Sequence, residues 1–218
     1  MFYIIGDIHG CHSKLKLLFL KLEHRIMPED TVIFLGDYID RGEDSFAAVD
    51  YLSRLNDRFK CVFLTGNHEK MLFDFLKGLV SAETYYANGG KRTIESYTEH
   101  LGQFMIPDKH KQVLFSGRYY FEGDDFIAVH AGVNPEFGDN YRNNPQNDMI
   151  WIRENFFNTS YIFAKTVIFG HTPTAHLKVK TGDVFADYKR NMIGIDTAAV
   201  YGGKLTCLVW PEKEFIQC

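Results

Sequence analysis

Five short apolar segments of this chain each stop at a polar residue of a type that binds metal ions. Continuous runs of β-branched and aromatic residues are typical of strands buried on both faces of a parallel sheet. In such sheets, ligands bind beyond the carboxyl ends of the strands. The sequence therefore predicts one site that gathers the residues at the five strand ends, which are Asp7 with His9, Asp37, Asn67, His130 and His171.

The first third of the chain alternates strand and helix patterns. Helical spacing follows the first strand, with apolar residues at Leu15, Leu18, Phe19 and Leu22. Helical segments also follow the second strand, around residues 47–55, and the third, where the apolar face extends to Leu79. This alternation predicts parallel strands with helices packed outside them.

The pattern changes twice in the rest of the chain. From about residue 78 to 117, polar, aromatic and helix-compatible residues replace the strand pattern, which predicts a helical cap insertion. Beyond the cap, short runs separated by Gly, Asp and Asn turns predict mixed or antiparallel strands, including one at residues 176–180. We therefore expect an α/β (α+β) fold and a single domain over residues 1–218.

Composition narrows the class of protein. The formal net charge of −4 and the pI near 6.1 give no basic surface for duplex nucleic acid. The chain has no apolar run long enough to span a membrane and no export signal at its start. The four cysteines form no CxxC pair, which favours free thiols and a cytoplasmic location. The composition predicts no oligomeric state.

The residues at the strand ends suit a metal centre without thiolates. Carboxylate and amide oxygens together with imidazole nitrogens favour Mn, with Fe or Zn as alternatives. Six ligands are too many for one catalytic ion that keeps a position open, but they suit two ions about 3.5–4 Å apart that share a carboxylate. We expect Asp37 to be that bridge. Two such ions activate water and stabilise charge on a phosphoryl group, which indicates phosphoester hydrolysis.

Residues beside the ligands suit the remaining chemistry. His68 follows the ligand Asn67 and is the expected general acid, and Asp40 is the expected partner of its imidazole. Arg41 follows Asp40, and its guanidinium matches two phosphate oxygens.

Five motifs then carry a resemblance to a known family. The strings GDIHG, GDYIDRG, GNHE, HAG and GHT, which begin at residues 6, 36, 66, 130 and 170, resemble the signature of the phosphoprotein phosphatase family of dinuclear metallophosphoesterases. The order and the wide spacing of the motifs also match, and the resemblance spans nearly the whole chain. Chance agreement over the three longest strings is negligible.

The resemblance implies a role for each matched position. It implies a calcineurin-like sandwich of two mixed β-sheets flanked by helices. The dyad of acid and partner would be His68 and Asp40, and a further phosphate-binding arginine would be Arg153, so that Arg41, Arg153 and Asn67 contact the substrate. A hydroxide would lie between the two metals, the first held by Asp7, His9 and Asp37 and the second by Asp37, Asn67, His130 and His171.

Departures from the eukaryotic branch of that family narrow the branch but not the substrate, because the motifs are shared by protein phosphatases and diadenosine tetraphosphate hydrolases. The chain has HAG where that branch has HGG, and it lacks the SAPNYC stretch, so it resembles the smaller bacterial and phage members. The first hypothesis is a phosphatase acting on phosphoserine or phosphothreonine in proteins, with phosphotyrosine as a further substrate. The alternatives are a symmetrical diadenosine tetraphosphate hydrolase and an inactive phosphate-binding scaffold.

Overall fold

The computed structural model describes residues 1–115 and 117–218. Its first part alternates strands and helices as the sequence predicts: β1 (Phe2–Ile5), α1 (His12–Leu22), β2 (Thr31–Phe34), α2 (Ser45–Asn56), β3 (Lys60–Phe63) and α3 (Asn67–Leu76). The predicted apolar face of α1 is confirmed, since its four members are all buried. The prediction that the apolar face of the third helix extends to Leu79 is wrong. Helix α3 ends before Gly78, whose φ of 71° turns the chain, and the side chain of Leu79 is 74% exposed.

Three helices occupy the predicted cap. They are α4 (Ala82–Ala87), α5 (Gly90–Leu101) and α6 (Asp108–Leu114). Their buried residues, among them Tyr97 and Leu114, join the core that α1 and α2 form on the outer face of the first sheet. The cap is therefore packed onto the helical layer. Its last predicted residues include Ser116, which lies outside the described residues, and the single-domain assignment stays a prediction.

The second half is rich in strands. Its elements are β4 (Tyr120–Glu122), β5 (Phe126–Val129), α7 (Gln146–Trp151), α8 (Glu154–Phe157), β6 (Thr166–Phe169), β7 (Phe185–Asp187), β8 (Met192–Gly194), β9 (Thr206–Trp210) and β10 (Glu214–Gln217), with 3₁₀ turns at Pro135–Phe137, Tyr141–Asn143, Thr174–Leu177 and Ala199–Tyr201. The strand predicted at residues 176–180 is wrong. A 3₁₀ turn ends there, and Lys178 adopts a φ of 63°, which is incompatible with an extended strand.

The strands form two mixed sheets. The first has the order β10-β9-β1-β2-β3, in which β1, β2 and β3 are parallel and β9 and β10 are antiparallel to their neighbours. The second has the order β4-β5-β6-β8-β7, with β5, β6 and β8 parallel. The predicted architecture of two mixed sheets flanked by helices is confirmed.

The sheets face each other across an apolar core. In β1, Ile4 points into this core, whereas Tyr3 and Ile5 point to the helices, as the two-residue period of a strand requires. Residues of both sheets fill the space between them, including Ile33, Leu35, Phe126, Ile168 and Ile193. Burial of these side chains fixes the sheets together, and so fixes the relative position of the strand ends. Among residues 1–115 and 117–218, no helix is long and apolar enough to cross a membrane.

Candidate metal centre

The polar residues at the strand ends come together as the sequence predicts. The ends of the parallel strands β1, β2 and β3 face the ends of β5 and β6, so the loops that follow all five strands meet at one edge of the sandwich. All six predicted metal ligands are buried there: Asp7, His9, Asp37, Asn67, His130 and His171. Their assignment as ligands remains a proposal, but their proximity is observed.

Asp37 lies between the two halves of this cluster. Its Oδ2 atom lies 3.4 Å from Nε2 of His9, and its Oδ1 atom lies 3.4 Å from Nε2 of His130. Two groups of possible ligand atoms, each within 4.8 Å of one another, share it: one with His9 and His68, and one with His130 and His171. A carboxylate with one oxygen towards each group has the position that a bridge between two cations needs.

Backbone carbonyls set the orientation of two of the imidazoles. Nδ1 of His9 lies 2.9 Å from the carbonyl oxygen of Ile39, and Nδ1 of His130 lies 2.9 Å from that of Leu35. Each Nδ1 therefore donates a proton outward. In the neutral ring this leaves the Nε2 lone pair facing Asp37, which is the arrangement found for metal-binding histidines.

Asn67 brings an amide oxygen to the second group. Its Oδ1 atom lies 2.9 Å from Nε2 of His130 and 2.9 Å from Nδ1 of His171. Burial lowers the pKa of His130 to about 3, so its ring is neutral and, with Nδ1–H donating to a carbonyl, Nε2 carries a lone pair. With Asn67 in this orientation, two acceptors face each other, and a cation satisfies both.

Asp7 lies beside the two groups of three and not within them. Both of its carboxylate oxygens accept hydrogen bonds from the backbone N–H of His171, at 3.1 and 3.0 Å. Burial, with the nearby carboxylates of Asp196 and Asp37, raises the pKa of Asp7 well above its usual range. Burial likewise raises the pKa of Asp37. Neighbouring buried carboxylates repel one another, and bound divalent cations relieve that cost.

His68 and Asp40 form a hydrogen-bonded pair at the edge of the cluster. Nδ1 of His68 lies 2.7 Å from Oδ2 of Asp40. The other carboxylate oxygen accepts hydrogen bonds from the hydroxyls of Tyr85, at 2.8 Å, and Thr93, at 2.6 Å. Burial raises the pKa of Asp40 to about 6. Burial and the charge of Arg41 lower the pKa of His68.

The other ring nitrogen of His68 faces the site. Its Nε2 atom is buried and makes no hydrogen bond with any described residue, and it lies 3.9 Å from Oδ2 of Asp37. A buried nitrogen without a partner is costly unless a ligand reaches it. His68 is therefore fixed on one side and available for proton transfer on the other.

The two predicted phosphate-binding arginines flank the ligand cluster. Nη1 of Arg41 lies 2.9 Å from Nε2 of His9, and Nε of Arg153 donates to Nε2 of His171 at 3.1 Å. Both guanidinium groups line a cleft of about 750 Å³ that also contains Asp37 and His68. Both arginines therefore lie beside the ligand cluster and face the same cleft.

Several site residues hold unusual backbone conformations. Left-handed φ angles occur at His9 (46°), Asp37 (53°), Asp40 (70°), Arg41 (68°) and His171 (64°). Each such non-glycine conformation costs on the order of 1–3 kcal/mol and persists only where the surroundings impose it. The strand-end loops are therefore shaped to direct these side chains into the cluster and not to minimise local strain.

Three supporting residues were not predicted from the sequence. The Glu69 carboxylate accepts hydrogen bonds from the backbone N–H groups of Asp37 (2.8 Å), Tyr38 (2.8 Å) and Gly66 (3.1 Å), which fixes the loop that carries the bridge. Glu69 lies within the GNHE string, so a signal was present. Tyr85 and Thr93, which hold Asp40, lie in the cap far along the chain and left no local signal.

Fold and site together define a two-metal phosphoesterase. A family model described as calcineurin-like phosphoesterase matches residues 1–198, and the chain belongs to that family. Members of the family use a dinuclear metal site, so the chain is a metallophosphoesterase and a hydrolase. The resemblance seen in the five motifs is confirmed at this level.

Similar proteins carry names of two kinds of phosphatase. One relative, "Bis(5'-nucleosyl)-tetraphosphatase PrpE [asymmetrical]" of Oceanobacillus iheyensis, is 26% identical over 98% of this chain and 90% of its own length. A crystal structure provisionally named as a diadenosine tetraphosphatase superimposes with a TM-score of 0.72, at 23% identity over 100% of this chain and 92% of that one. A cold-active protein-tyrosine phosphatase of a Shewanella species superimposes with a TM-score of 0.65, at 16% identity over 99% of this chain and 76% of that one. The two structures support the fold alone.

Proposed function

We propose that this chain is a two-metal phosphoesterase that hydrolyses dinucleoside tetraphosphates asymmetrically, to a nucleoside monophosphate and a nucleoside triphosphate. The observation that carries the phosphoesterase chemistry of this proposal is the position of Asp37, with one oxygen towards His9 and the other towards His130, in a cleft lined by two arginines.

The residues present fit two divalent cations. One would be held by His9 and Asp37 with Asp7 nearby, and the other by Asp37, Asn67, His130 and His171. The donor set of oxygen and imidazole nitrogen favours Mn, with Fe or Zn as alternatives. When bound, the ions supply an activated water as nucleophile and neutralise charge on the phosphoryl oxygens.

The chain's own residues perform the rest of the reaction. Arg41 and Arg153 bind phosphate oxygens from two sides and orient the chain of phosphates. His68 delivers a proton from Nε2 to the leaving phosphate oxygen, and Asp40 stabilises the imidazolium through Nδ1. One water adds to phosphorus and one P–O bond breaks, so the products together contain the substrate and one water.

The choice of substrate rests on the relatives. Several curated relatives that match 98% of this chain are named as asymmetrical bis(5'-nucleosyl)-tetraphosphatases. Those names do not favour the symmetrical cleavage that the sequence alone suggested as an alternative. The cleft of about 750 Å³ falls within the range of small-molecule sites, which agrees with a nucleotide substrate.

Hydrolysis of phosphoproteins is the second candidate. It is favoured by the side chain of Tyr201, which lines the cleft and is 60% exposed, so the entrance faces solvent where a protein-borne phosphate can reach it. The acid and the arginines serve either substrate, because they contact the phosphate and its leaving group.

A substrate panel tests the proposal. Mn-loaded protein is assayed with diadenosine tetraphosphate, p-nitrophenyl phosphate, and phosphoserine, phosphothreonine and phosphotyrosine peptides. We expect kcat/KM for diadenosine tetraphosphate to exceed that for every peptide by about 10²-fold, because a cleft built for a nucleotide leaves polar groups unpaired with other substrates. A higher kcat/KM for any phosphopeptide contradicts the proposal and supports the second candidate.

A further inference from the structure

A second cavity lies next to the catalytic cleft. Its volume is about 510 Å³, and α3, the cap and α7 form its walls. Asn88 of the cap and Trp151 of α7 line both this cavity and the catalytic cleft. The ring of Trp151 lies edge-on to that of His171, with centroids 5.8 Å apart, so the cavity begins one side chain away from the candidate metal ligands.

The walls of this cavity are mostly apolar and aromatic. Met71, Val80 and Ile150 provide aliphatic surface, and the rings of Tyr119 and Trp151 provide aromatic surface. A flat heteroaromatic group gains most from such walls, because rings stack and apolar surface leaves water.

The charges that border the cavity neutralise each other. Nζ of Lys70 donates to both carboxylate oxygens of Asp74, at 2.6 Å each. Neither charge is therefore unpaired, and the cavity does not need a charged ligand. Hydrogen-bonding groups are present at the exposed rim of the cavity. The side-chain amides of Gln146 and Asn147 make no hydrogen bond with any described residue, so they can bond to a polar group of a ligand.

The second cavity thus combines three properties: apolar and aromatic walls, no unpaired ion of its own, and direct continuity with the phosphate-binding cleft. We propose that it binds the base and ribose of the monophosphate half of the substrate. This inference rests on the proposed function. Asymmetrical cleavage places one nucleoside a single phosphate from the attacked bond, and this cavity begins at Trp151, whose ring contacts the candidate metal ligand His171.

The test fills the cavity without touching the metal ligands. Val80→Trp places an indole in the space where the base would lie, and Leu79→Trp is the matched control, because Leu79 is 74% exposed and lines neither cavity. The readout is the ratio of kcat/KM for diadenosine tetraphosphate to kcat/KM for p-nitrophenyl phosphate. We expect this ratio to fall at least about tenfold in Val80→Trp, as the loss of base stacking implies, and to stay constant in Leu79→Trp.

A second measurement uses the unmodified protein. AMP and ribose 5-phosphate share a phosphate and a ribose, so the difference between their inhibition constants reports the base alone. We expect AMP to inhibit at least about tenfold more strongly. Equal inhibition by the two compounds overturns the inference, including in the case where Val80→Trp loses activity towards every substrate.

The outcomes separate this inference from the function on which it rests. If the unmodified protein cleaves diadenosine tetraphosphate to AMP and ATP but the ratio is unchanged in Val80→Trp, the cavity assignment is wrong and the proposed function stands. If Val80→Trp lowers the turnover of phosphopeptides but not that of the dinucleotide, a peptide side chain occupies the cavity and the inference is overturned. If the unmodified protein does not cleave the dinucleotide, both are overturned.

Discussion

Nδ1 of His68 lies 2.7 Å from Oδ2 of Asp40, and both side chains are buried beside the candidate metal ligands. Asp40 is itself held by the hydroxyls of Tyr85 and Thr93 from the cap. The remaining nitrogen of His68 has no hydrogen-bond partner among the described residues and faces the cluster. The cap therefore contributes to the chemistry indirectly, because it fixes the carboxylate that orients the proposed acid.

Replacement of His68 tests its role as the acid. We expect His68→Asn to lower kcat for diadenosine tetraphosphate by about 10²-fold while both metals stay bound, because only proton transfer is lost. Steady-state kinetics and elemental analysis measure the two quantities. His24→Asn is the control, since His24 is exposed and lies outside all five motifs. Unchanged turnover in His68→Asn removes His68 from this role.

Replacement of Asp37 tests the bridge. Asp37→Asn removes the charge from the only carboxylate shared by both groups of ligand atoms among the described residues. We expect the Mn content after reconstitution to fall from two equivalents to one or fewer, measured by elemental analysis on folded protein. Asp57→Asn, at an exposed ion pair with Lys109, is the matched control and should keep both metals. Full occupancy in Asp37→Asn contradicts the bridging role.

Replacement of Arg41 by lysine tests its proposed contact with the substrate phosphates. A Lys at position 41 keeps the positive charge but loses the fork that holds two phosphate oxygens. We expect Arg41→Lys to lower kcat/KM for diadenosine tetraphosphate by roughly 10-fold to 10²-fold, as loss of a charge-assisted hydrogen bond predicts. In Arg92→Lys, where the guanidinium pairs with Glu95 on the surface, kinetics should not change. Equal kinetics in the two variants would show that Arg41 does not bind the substrate.

Adjacent tyrosines of the cap offer a matched test of stability. Tyr85 is fully buried and its hydroxyl donates to Asp40, whereas Tyr86 is 40% exposed and its hydroxyl makes no hydrogen bond with any described residue. Removal of a hydrogen bond to a buried carboxylate costs about 1–3 kcal/mol. We expect Tyr85→Phe to lower the free energy of unfolding in urea by that amount, and Tyr86→Phe to leave it within about 0.5 kcal/mol. Similar values for both variants would contradict the support that Tyr85 gives to Asp40.

The sequence predicted those parts of the molecule that depend on local patterns. Apolar strand runs that end at ligand types identified the residues of the cluster, because the carboxyl ends of parallel strands lie at one edge of a sheet. The buried face of α1 followed from its helical spacing. Both are properties that neighbouring residues impose.

Two of the wrong predictions fail at turns, whereas the role of the cap depended on contacts between distant parts of the chain. The strand predicted at residues 176–180 gave way to a turn at Lys178, and the apolar pattern at Leu79 ended in solvent because Gly78 breaks the helix. The hydrogen bonds from Tyr85 and Thr93 to Asp40 join residues 45 and 53 positions apart. No local pattern encodes a pairing of that kind, so the role of the cap in the site appeared only in the structure.

The most direct test of the central claim is the identity of the products. Mn-loaded protein is incubated with diadenosine tetraphosphate, and the nucleotides are separated by anion-exchange chromatography from the first minutes of reaction. The proposed function predicts equal amounts of ATP and AMP, formed at the same rate. Two molecules of ADP from each substrate, or no cleavage by protein that carries both metals and releases phosphate from phosphopeptides, would contradict it.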